Sequence, residues 1–394
     1  MRTFTVGERR NRLARRHFLA PTEPRPVTRV IAGLVGLHAT DPATPYLTSW
    51  ARSAGFGTAD LDVELYKKRS AVRHLAMRRT LWVVNADDLA TIQAAAGERV
   101  AENERRRLTA DVDKAGVAAD AESWLNRACS VVLRHLAEHG PATSTELRAA
   151  LPELVGTYDP APGKSWGGAV PIAPRVLTML SARGDIVRGP NDGAWTTSRP
   201  RWVTTADWLG EPSTPKLAEA AQAELTRRWL WTFGPATAGD IKWWFGSTLT
   251  AVRKALTEIN AVDVELGGAP GYVLPDDLEP EPDAPPWAAL LPGLDATTMG
   301  WFDRDWYLGG HRGHVFDRNG NAGPTAWWNG RVVGGWYQDD GARVQLQLTE
   351  DPGAGAKRAL RTRAEELTSW LDGVRISPRF PSPLSKAGAH FREL

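Results

Sequence analysis

Two stretches of the chain repeat one local pattern, Gly140-Pro141-Ala142-Thr143 and Gly234-Pro235-Ala236-Thr237. Each follows a run with the apolar spacing of a helix, residues 131–139 in the first case and 221–233 in the second. Glycine ends a helix readily because it accepts a left-handed conformation, and proline cannot continue the helix. Thr143 or Ser144, and Thr237, can then cap the next helix. Both stretches therefore predict a helix, a tight turn and a second helix.

A third helix and a hairpin follow in both copies. The helices are predicted at residues 172–182 and 249–259, each with one apolar face. In the first copy the hairpin strands are predicted at residues 186–188 and 194–196, and in the second at 262–266 and 271–274. Three helices closed by a hairpin form the winged-helix version of the helix-turn-helix. Because the copies lie 94 positions apart (140 to 234), they indicate an internal repeat.

The N-terminal third has the features of another copy. Thr5-x-x-Glu8 is a capping box that opens a helix through about Phe18, and Pro26 begins a second helix whose apolar stripe runs to His38. Residues 72–84 predict a hairpin, and residues 87–113 predict a long polar helix.

Beyond residue 275 the pattern changes. Residues 275–286 are rich in proline and acidic residues and predict a linker, whereas 301–347 predict a small antiparallel β-unit followed by a helix at 357–371. The expected fold class is α+β, with three tandem winged-helix repeats and a small C-terminal antiparallel β-region. We predict four segments: 1–120 with the candidate catalytic motif and a bridging helix, 121–212 and 213–284 as winged helices, and 285–394 as the β-rich region.

Composition bounds the classes of function. The 394 residues carry a net charge of +2 and one cysteine, which fits a reducing compartment. No apolar run is long enough for a membrane span and the N-terminus lacks the apolar core of a signal peptide, so we expect a cytoplasmic protein. Two basic zones, residues 1–30 and 357–394, suit a surface that faces phosphates, and solvated helix faces explain either zone alone equally well.

A winged helix commonly places its third helix in the major groove of DNA and its wing on the backbone. The candidate DNA-binding residues are therefore Arg175, Arg253 and Lys254 on third helices, Arg78 and Arg79 near a hairpin tip, and also Arg318. Basic residues of this kind position a protein on DNA without reading its sequence. The alternative is that the winged helices are protein-interaction modules.

One sequence matches a metal-site pattern. His135-Leu-Ala-Glu-His139 has the spacing of a zinc metalloprotease helix, but His139 directly precedes the predicted terminator Gly140, where a cationic histidine is favoured by the helix dipole. We expect no metal site. No phosphate-binding loop or dinucleotide fingerprint occurs, so we expect no cofactor.

The remaining polar cluster is Gly36-Leu37-His38-Ala39-Thr40-Asp41-Pro42. His38 continues an apolar stripe and is predicted at a helix end. It is either a partly buried histidine held by hydrogen bonds, with Asp41 as a cap, or a reactive group.

Here the chain resembles the bacterial winged-helix DNA glycosylases of the AlkZ and YcaQ type. The stretches that carry the resemblance are Gly36–Pro42 just quoted, Leu75-Ala-Met-Arg-Arg-Thr80, Leu291-Pro-Gly-Leu-Asp295, Arg304-Asp-Trp-Tyr-Leu308 and Phe316-Asp-Arg-Asn-Gly-Asn-Ala-Gly-Pro324. The resemblance covers nearly the whole chain. It implies three tandem winged helices around a concave DNA channel, and excision of N7-alkylguanine adducts, including bulky adducts and interstrand crosslinks.

The catalytic motif of that family, Gln-x-Gln or Gln-x-Asp, falls on His38-Ala39-Thr40, which departs from it at both polar positions. The hypothesis is that neutral His38 orients or deprotonates a water, Thr40 hydrogen-bonds the same water, and Asp41 stabilises positive charge or caps the helix. No lysine stands beside the motif, so the expected glycosylase is monofunctional. The resemblance implies alkylated double-stranded DNA as its partner, and we expect a monomer associated with the nucleoid. The alternatives are a non-enzymatic DNA-binding regulator and a winged-helix interaction module.

Overall fold

The protein is described from a computed structural model that covers residues 1–20, 23–165, 167–210 and 215–387. Contacts divide the chain into two compact units, residues 1–61 with 222–394, and residues 62–221. The predicted boundary between residues 212 and 213, and the end of the basic tail at 388–394, lie outside the described residues. The division into four segments stays a prediction.

The helices are α1 (Val6–Arg16), α2 (Val27–Gly33), α3 (Thr44–Trp50), α4 (Thr58–Asp62), α5 (Leu89–Ile92), α6 (Glu98–Lys114), α7 (Ala121–His139), α8 (Ser144–Ala150), α9 (Ala173–Arg183), α10 (Thr205–Leu209), α11 (Ala218–Phe233), α12 (Ala238–Phe245), α13 (Leu249–Glu258), α14 (Asp305–Leu308), α15 (Arg312–Val315), α16 (Ala354–Leu371) and α17 (Pro383–Ala387). The strands are β1 (Arg2–Thr3), β2 (Leu37–His38), β3 (Ala71–Leu75), β4 (Leu81–Asn85), β5 (Thr157–Tyr158), β6 (Val170–Pro171), β7 (Ile186–Asn191), β8 (Pro200–Thr204), β9 (Val262–Leu266), β10 (Ala269–Val273), β11 (Ala288–Leu291), β12 (Thr325–Trp328), β13 (Arg331–Gln338) and β14 (Val344–Leu348).

The unit of residues 62–221 contains one predicted winged helix, made of α7, α8, α9 and the β7–β8 hairpin. Gly140 ends α7 with a φ of 80°, and Thr143 caps α8 in a capping box with Glu146. Ala142 then bonds to Trp202 of β8, with Ala142 N–H to Trp202 O at 3.0 Å and the reverse bond at 2.7 Å. The repeated turn is therefore joined to the two-stranded wing by a single β-bridge.

The second strand of this wing corrects the sequence prediction. It lies at Pro200–Thr204 and not at residues 194–196. The side-chain amide of Asn191 donates to the backbone carbonyls of Ala194 and Thr197, at 3.2 and 3.1 Å. Because those bonds close a wide turn, residues 194–196 belong to the loop and the strand begins after it.

The other unit, residues 1–61 with 222–394, contains the second copy from residue 222 of α11 onward, with α12, α13 and the β9–β10 hairpin. Thr237 caps α12 with Asp240, and Ala236 pairs with Tyr272 of β10 as Ala142 pairs with Trp202. The internal repeat predicted from the two Gly-Pro-Ala-Thr stretches is thus present in helix order, cap and strand pairing. β1 adds a parallel strand to β9.

The N-terminal elements also follow the prediction. α1 begins at the predicted capping box of Thr5 and Glu8, α2 follows Pro26, and β3–β4 form the predicted hairpin. The predicted polar helix forms as α5, a π-helical turn at Gln93–Gly97, and α6. α1 to α3 lie in one compact unit and β3–β4 in the other, so a third winged-helix repeat stays a prediction.

A four-stranded antiparallel sheet, in the order β11-β12-β13-β14, forms the predicted C-terminal β-region, and α16 packs against it. The acidic stretch before it is more than a linker, because Asp277 is buried and accepts from Arg12 at 2.7 Å and from Arg16 at 2.6 Å. Two arginines of the basic N-terminal zone are therefore turned inward to an internal ion pair. No helix among the described residues is both long and apolar enough to cross a membrane.

Candidate active site

The candidate motif, residues 36–42, lies beyond the end of α2, which is shorter than the sequence predicts. α2 ends at Gly33, and the next turn places Val35 at a φ of 59° and Gly36 at 130°. Glycine is favoured at such a φ because it has no Cβ to clash with the backbone. The chain therefore turns into the short strand β2, so His38 lies on a strand and not at a helix end. Its side chain is buried in the unit that contains residues 1–61.

The imidazole of His38 faces the backbone of its own motif. The N–H of Thr40 points at His38 Nδ1 over 3.4 Å, a long contact. A nitrogen that accepts carries no proton, so this contact favours the neutral tautomer with its hydrogen on Nε2. That tautomer supplies the hydrogen-bond donor that the water-orienting role requires, and the choice between the two roles of His38 stays a prediction.

The carboxylate of Asp41 is held by two backbone amides, one from its own turn and one from the C-terminal part of the chain. Its Oδ1 accepts from Ala43 N–H at 3.1 Å and its Oδ2 from Arg379 N–H at 3.0 Å. Burial raises the pKa of Asp41 above its usual range, and the amide bonds and the nearby guanidinium of Arg379 offset only part of that rise. Asp41 thus fixes the turn before α3 through its bond to Ala43, and burial makes its carboxylate more basic than that of an exposed aspartate. The role of Asp41 in stabilising positive charge stays a prediction.

The Leu291–Asp295 stretch that carried the resemblance lies beneath this motif. Thr44 Oγ1 donates to Gly293 O at 2.7 Å, and Asp41, Pro292 and Trp336 line one narrow cavity of about 10 Å³. That volume is near the smallest that admits a single water. The mainly apolar lining explains why Asp41 is poorly solvated.

A larger pocket of about 470 Å³ lies at the C-terminal end of the same unit. It is lined by Asp317, Arg318, Arg379, Phe380 and Lys386, among others. Arg379 joins this pocket to the motif, because its backbone bonds Asp41 and its Nη1 donates to Thr40 O at 3.4 Å. The structure thereby brings the predicted DNA-binding residue Arg318 into the same pocket as a residue that contacts the predicted catalytic motif.

Sequence reasoning missed Arg379, Phe380 and Lys386 as site residues. Arg379 and Lys386 belong to the basic C-terminal zone, so their charge was visible in the sequence. Nothing in the spacing indicated that a segment 338 positions after Asp41 (379 minus 41) returns to bond it.

The other predicted DNA-binding residues differ in exposure. Arg253 and Lys254 are exposed on α13, and Arg78 is partly buried in the turn at Met77–Arg79. Arg79 is half exposed and makes two bonds to the buried carboxylate of Glu104, at 2.6 and 2.9 Å.

The prediction that Arg175 is exposed is wrong. Its side chain is only 16% exposed, bonds Asp111 at 2.6 Å and lies over the ring of Tyr158. Burial is the largest single effect on the pKa of Arg175 and lowers it. The ion pair with Asp111 and the hydrogen bonds to Tyr158 and Asp111 together outweigh burial, so the pKa is raised.

The candidate zinc pair forms a contact of another kind. The rings of His135 and His139 stack with centroids 4.4 Å apart, and His139 Nδ1 lies 3.1 Å from the carbonyl oxygen of His135. Within the described ranges, no group of three or more His, Cys, Asp or Glu side chains is arranged to hold a metal ion.

A sequence model described as DNA glycosylase AlkZ-like matches residues 31–370, which include the motif and both winged-helix copies. The chain belongs to the AlkZ-like DNA glycosylase family. It is therefore a DNA glycosylase, a hydrolase of N-glycosyl bonds in DNA repair, and its partner is DNA. This membership decides against the regulator and the interaction module that the sequence left open.

Among solved structures, the chain is similar to the Streptomyces sahachiroi DNA glycosylase AlkZ, with a TM-score of 0.72 and 20% sequence identity. The match covers 93% of this chain and 97% of that chain. At this identity the likeness shows the fold, and it confirms the α+β class with winged-helix units. No protein with a curated description matches the chain.

Proposed function

We propose that the protein hydrolyses the N-glycosidic bond of N7-alkylated purines in double-stranded DNA, with His38, Thr40 and Asp41 at the reacting centre. The observation that carries the proposal is the buried, amide-bound carboxylate of Asp41, three residues from His38 and in contact with the arginine of a basic pocket. Alkylation at N7 makes the purine cationic and weakens its bond to the sugar. The enzyme then needs to orient a water and stabilise an oxocarbenium-like sugar, as glycoside hydrolases do.

Each residue has a distinct role in this proposal. His38, with its proton on Nε2, donates to the attacking water, and the hydroxyl of Thr40 fixes the orientation of that water. Asp41 supplies negative charge opposite the developing cation, and its raised pKa makes its ionised carboxylate a better proton acceptor than that of an exposed aspartate. A hydroxyl such as that of Thr40 cannot act as a base at neutral pH.

We also propose that the product is an intact abasic site. A lyase would need an amine to form a Schiff base with the sugar, and the motif segment, residues 36–42, contains no lysine. Lys386 lines the pocket that Arg379 joins to the motif, so the comparison with and without alkali described below decides between water and this amine as the nucleophile.

The test uses an end-labelled duplex with a single N7-methylguanine, read on a gel with and without mild alkali. The wild type is compared with His38→Ala, Asp41→Asn and the control Asp283→Asn, which alters an exposed acid. We expect alkali-dependent cleavage by wild type and control, and a loss of ~10²-fold or more in both motif variants. Equal rates in all four proteins would remove the motif from the chemistry.

Strand cleavage without alkali would instead establish a lyase. If N7-methylguanine is not released, a duplex with a bulky N7-guanine adduct is the next substrate. Failure on both substrates would reject N7-alkylpurines as the substrate class.

A further inference from the structure

The segment that contacts the motif, residues 374–382, is fixed along its length, and we refer to it as the C-terminal strap. Gln338 holds its first part, donating to Val374 O at 2.9 Å and accepting from Ile376 N–H at 2.8 Å. After the strap, Leu384 of α17 is buried. Arg379, between these two anchors, is thereby held with its amide on Asp41 and its side chain exposed in the pocket.

The basic pocket has an excess of positive charge. Arg318, Arg379 and Lys386 line it, and Asp317 is the acidic residue among them. The carboxylate of Asp317 is already used within its own turn, where it accepts from Asn319 N–H, Asn321 N–H and the Asn321 side chain at 2.8 to 2.9 Å. These bonds lower the pKa of Asp317, although burial opposes them, and they fix the turn that carries Arg318. Within the described part of the chain, neither Arg318 nor Lys386 forms an ion pair.

A pocket with these properties suits a phosphate diester. Arginine forks bind phosphate oxygens through paired hydrogen bonds, and lysine adds a point charge. The volume of about 470 Å³ lies within the range of small-molecule sites, so it accommodates a phosphate with parts of its sugars. Phe380 and Pro381 of the strap, with Pro383 of α17, provide apolar walls against which a sugar can pack.

We propose that the pocket of Arg318, Arg379 and Lys386 binds one backbone phosphate of the DNA, and that Arg379 is a positioning residue that couples this phosphate to Asp41. Its guanidinium holds the phosphate while its backbone amide holds the carboxylate, so the sugar to be cleaved is placed relative to the motif. The coupling to Asp41 rests on the function proposed above, whereas phosphate binding does not.

The first experiment measures affinity for an undamaged duplex by fluorescence anisotropy over a range of salt concentrations. Arg318→Ala, Lys386→Ala and Arg379→Ala are compared with Arg361→Ala, which removes an exposed arginine of α16 outside the pocket. We expect each pocket variant to weaken binding by roughly 5- to 30-fold, and the triple variant to reduce the slope of log K against log salt by about 1, because one phosphate is lost. Pocket variants that bind like Arg361→Ala would overturn the proposal.

A competition arm distinguishes a DNA phosphate from free phosphate. Wild type titrated with inorganic phosphate at constant ionic strength should release the duplex no more readily than it does with chloride. Tight inorganic phosphate binding together with pocket variants of unchanged DNA affinity would assign the pocket to a free anion and reject the proposal.

The second experiment tests coupling through the pH profile of single-turnover excision. Arg379 is the charged residue that faces Asp41 among the described residues, and the cavity beside Asp41 is lined by uncharged side chains. Loss of the guanidinium should raise the pKa of Asp41 further, so the acidic limb of Arg379→Ala should move to higher pH and Arg379→Lys should restore it. An unmoved limb in Arg379→Ala would reject the coupling. If wild type excises nothing while the binding differences persist, the proposed function fails and the phosphate site stands.

Discussion

Arg52 and Asp295 form a two-bonded ion pair whose side chains are fully buried. Arg52 Nη1 lies 2.9 Å from Asp295 Oδ2, and Nη2 lies 2.7 Å from Oδ1. The remaining donors and acceptors are also used, because Arg52 Nε bonds His17 O at 3.0 Å and Thr48 Oγ1 bonds Asp295 Oδ2 at 2.9 Å. The pair therefore joins the end of α3, just after the motif, to the Leu291–Asp295 turn beneath it.

Asp295→Asn should destabilise the protein by about 3–5 kcal/mol, because it leaves the Arg52 cation buried without a counter-charge. Urea unfolding followed by tryptophan fluorescence measures this. Asp283→Asn, which alters an exposed acid, serves as the control and should change stability by less than about 0.5 kcal/mol. The double variant Arg52→Met with Asp295→Leu should recover much of the loss, and a double variant less stable than Asp295→Asn would contradict this account.

Substitution of Arg79 should mainly lower stability, whereas substitution of Arg253 should mainly lower the affinity for DNA. Arg79→Ala removes two bonds to the buried Glu104 and should cost about 1–2 kcal/mol, an amount limited by the half-exposed guanidinium and by Arg175 and Arg107 nearby. Arg253→Ala, exposed on α13, should leave stability unchanged and weaken duplex binding several-fold. Thermal unfolding and anisotropy on both variants decide this. Equal effects of the two variants on both measurements would contradict it.

Excision should lose rate in acid at a pH above the 3.8 typical of a free aspartate, because burial raises the pKa of Asp41. Below the raised pKa the carboxylate is protonated and no longer opposes the positive charge of the transition state. Single-turnover rates from about pH 4.5 to about pH 8 measure the limb. Asp41→Asn should show a low, flat profile, and circular dichroism at each pH checks that the protein stays folded. If the excision rate of Asp41→Asn still falls in acid at the same pH as that of the wild type, the fall is caused by a group other than Asp41.

Acid should also destabilise the fold through two buried histidines. Burial lowers the pKa of His17 to about 3 and that of His74 to about 4, from 6.5. Both are neutral in the folded state, whereas in the unfolded state they take up a proton below about pH 6.5. The stability of the fold is therefore unaffected by them above about pH 6.5 and decreases as pH falls from there toward their folded pKa values. Each should reduce the free energy of unfolding by up to ~1.4 kcal/mol per pH unit in that window.

Thermal unfolding between about pH 7 and about pH 4.5 measures this loss. His74→Leu should make the melting temperature less dependent on pH, whereas His139→Gln, an exposed histidine, should not. A His74→Leu protein with the wild-type pH dependence would show that His74 does not contribute to acid destabilisation.

Much of the fold was predictable because its signals are local. The capping box of Thr5 and Glu8, the Gly-Pro turns and the apolar spacing of α9 and α13 depend on neighbouring residues alone. The prediction failed where a side chain acted over a longer reach, as when Asn191 closed a wide turn and displaced the second strand of the wing. It failed also at Arg175, which is mostly buried in an ion pair with Asp111 of α6. The sequence around a basic residue does not show that an acidic residue of another helix will pair with it.

The candidate site divides in the same way. The sequence by itself determined the family resemblance, the repeat and the motif of His38, Thr40 and Asp41, since these depend on residue identity and short-range order. Only the tertiary structure decided that His38 lies on a strand, that Asp41 accepts from the amide of Arg379, and that Arg318 and Lys386 share a pocket with that arginine. The physical reason is that burial and charge at a site are set by segments far apart in the chain, and no local pattern specifies which of them meet.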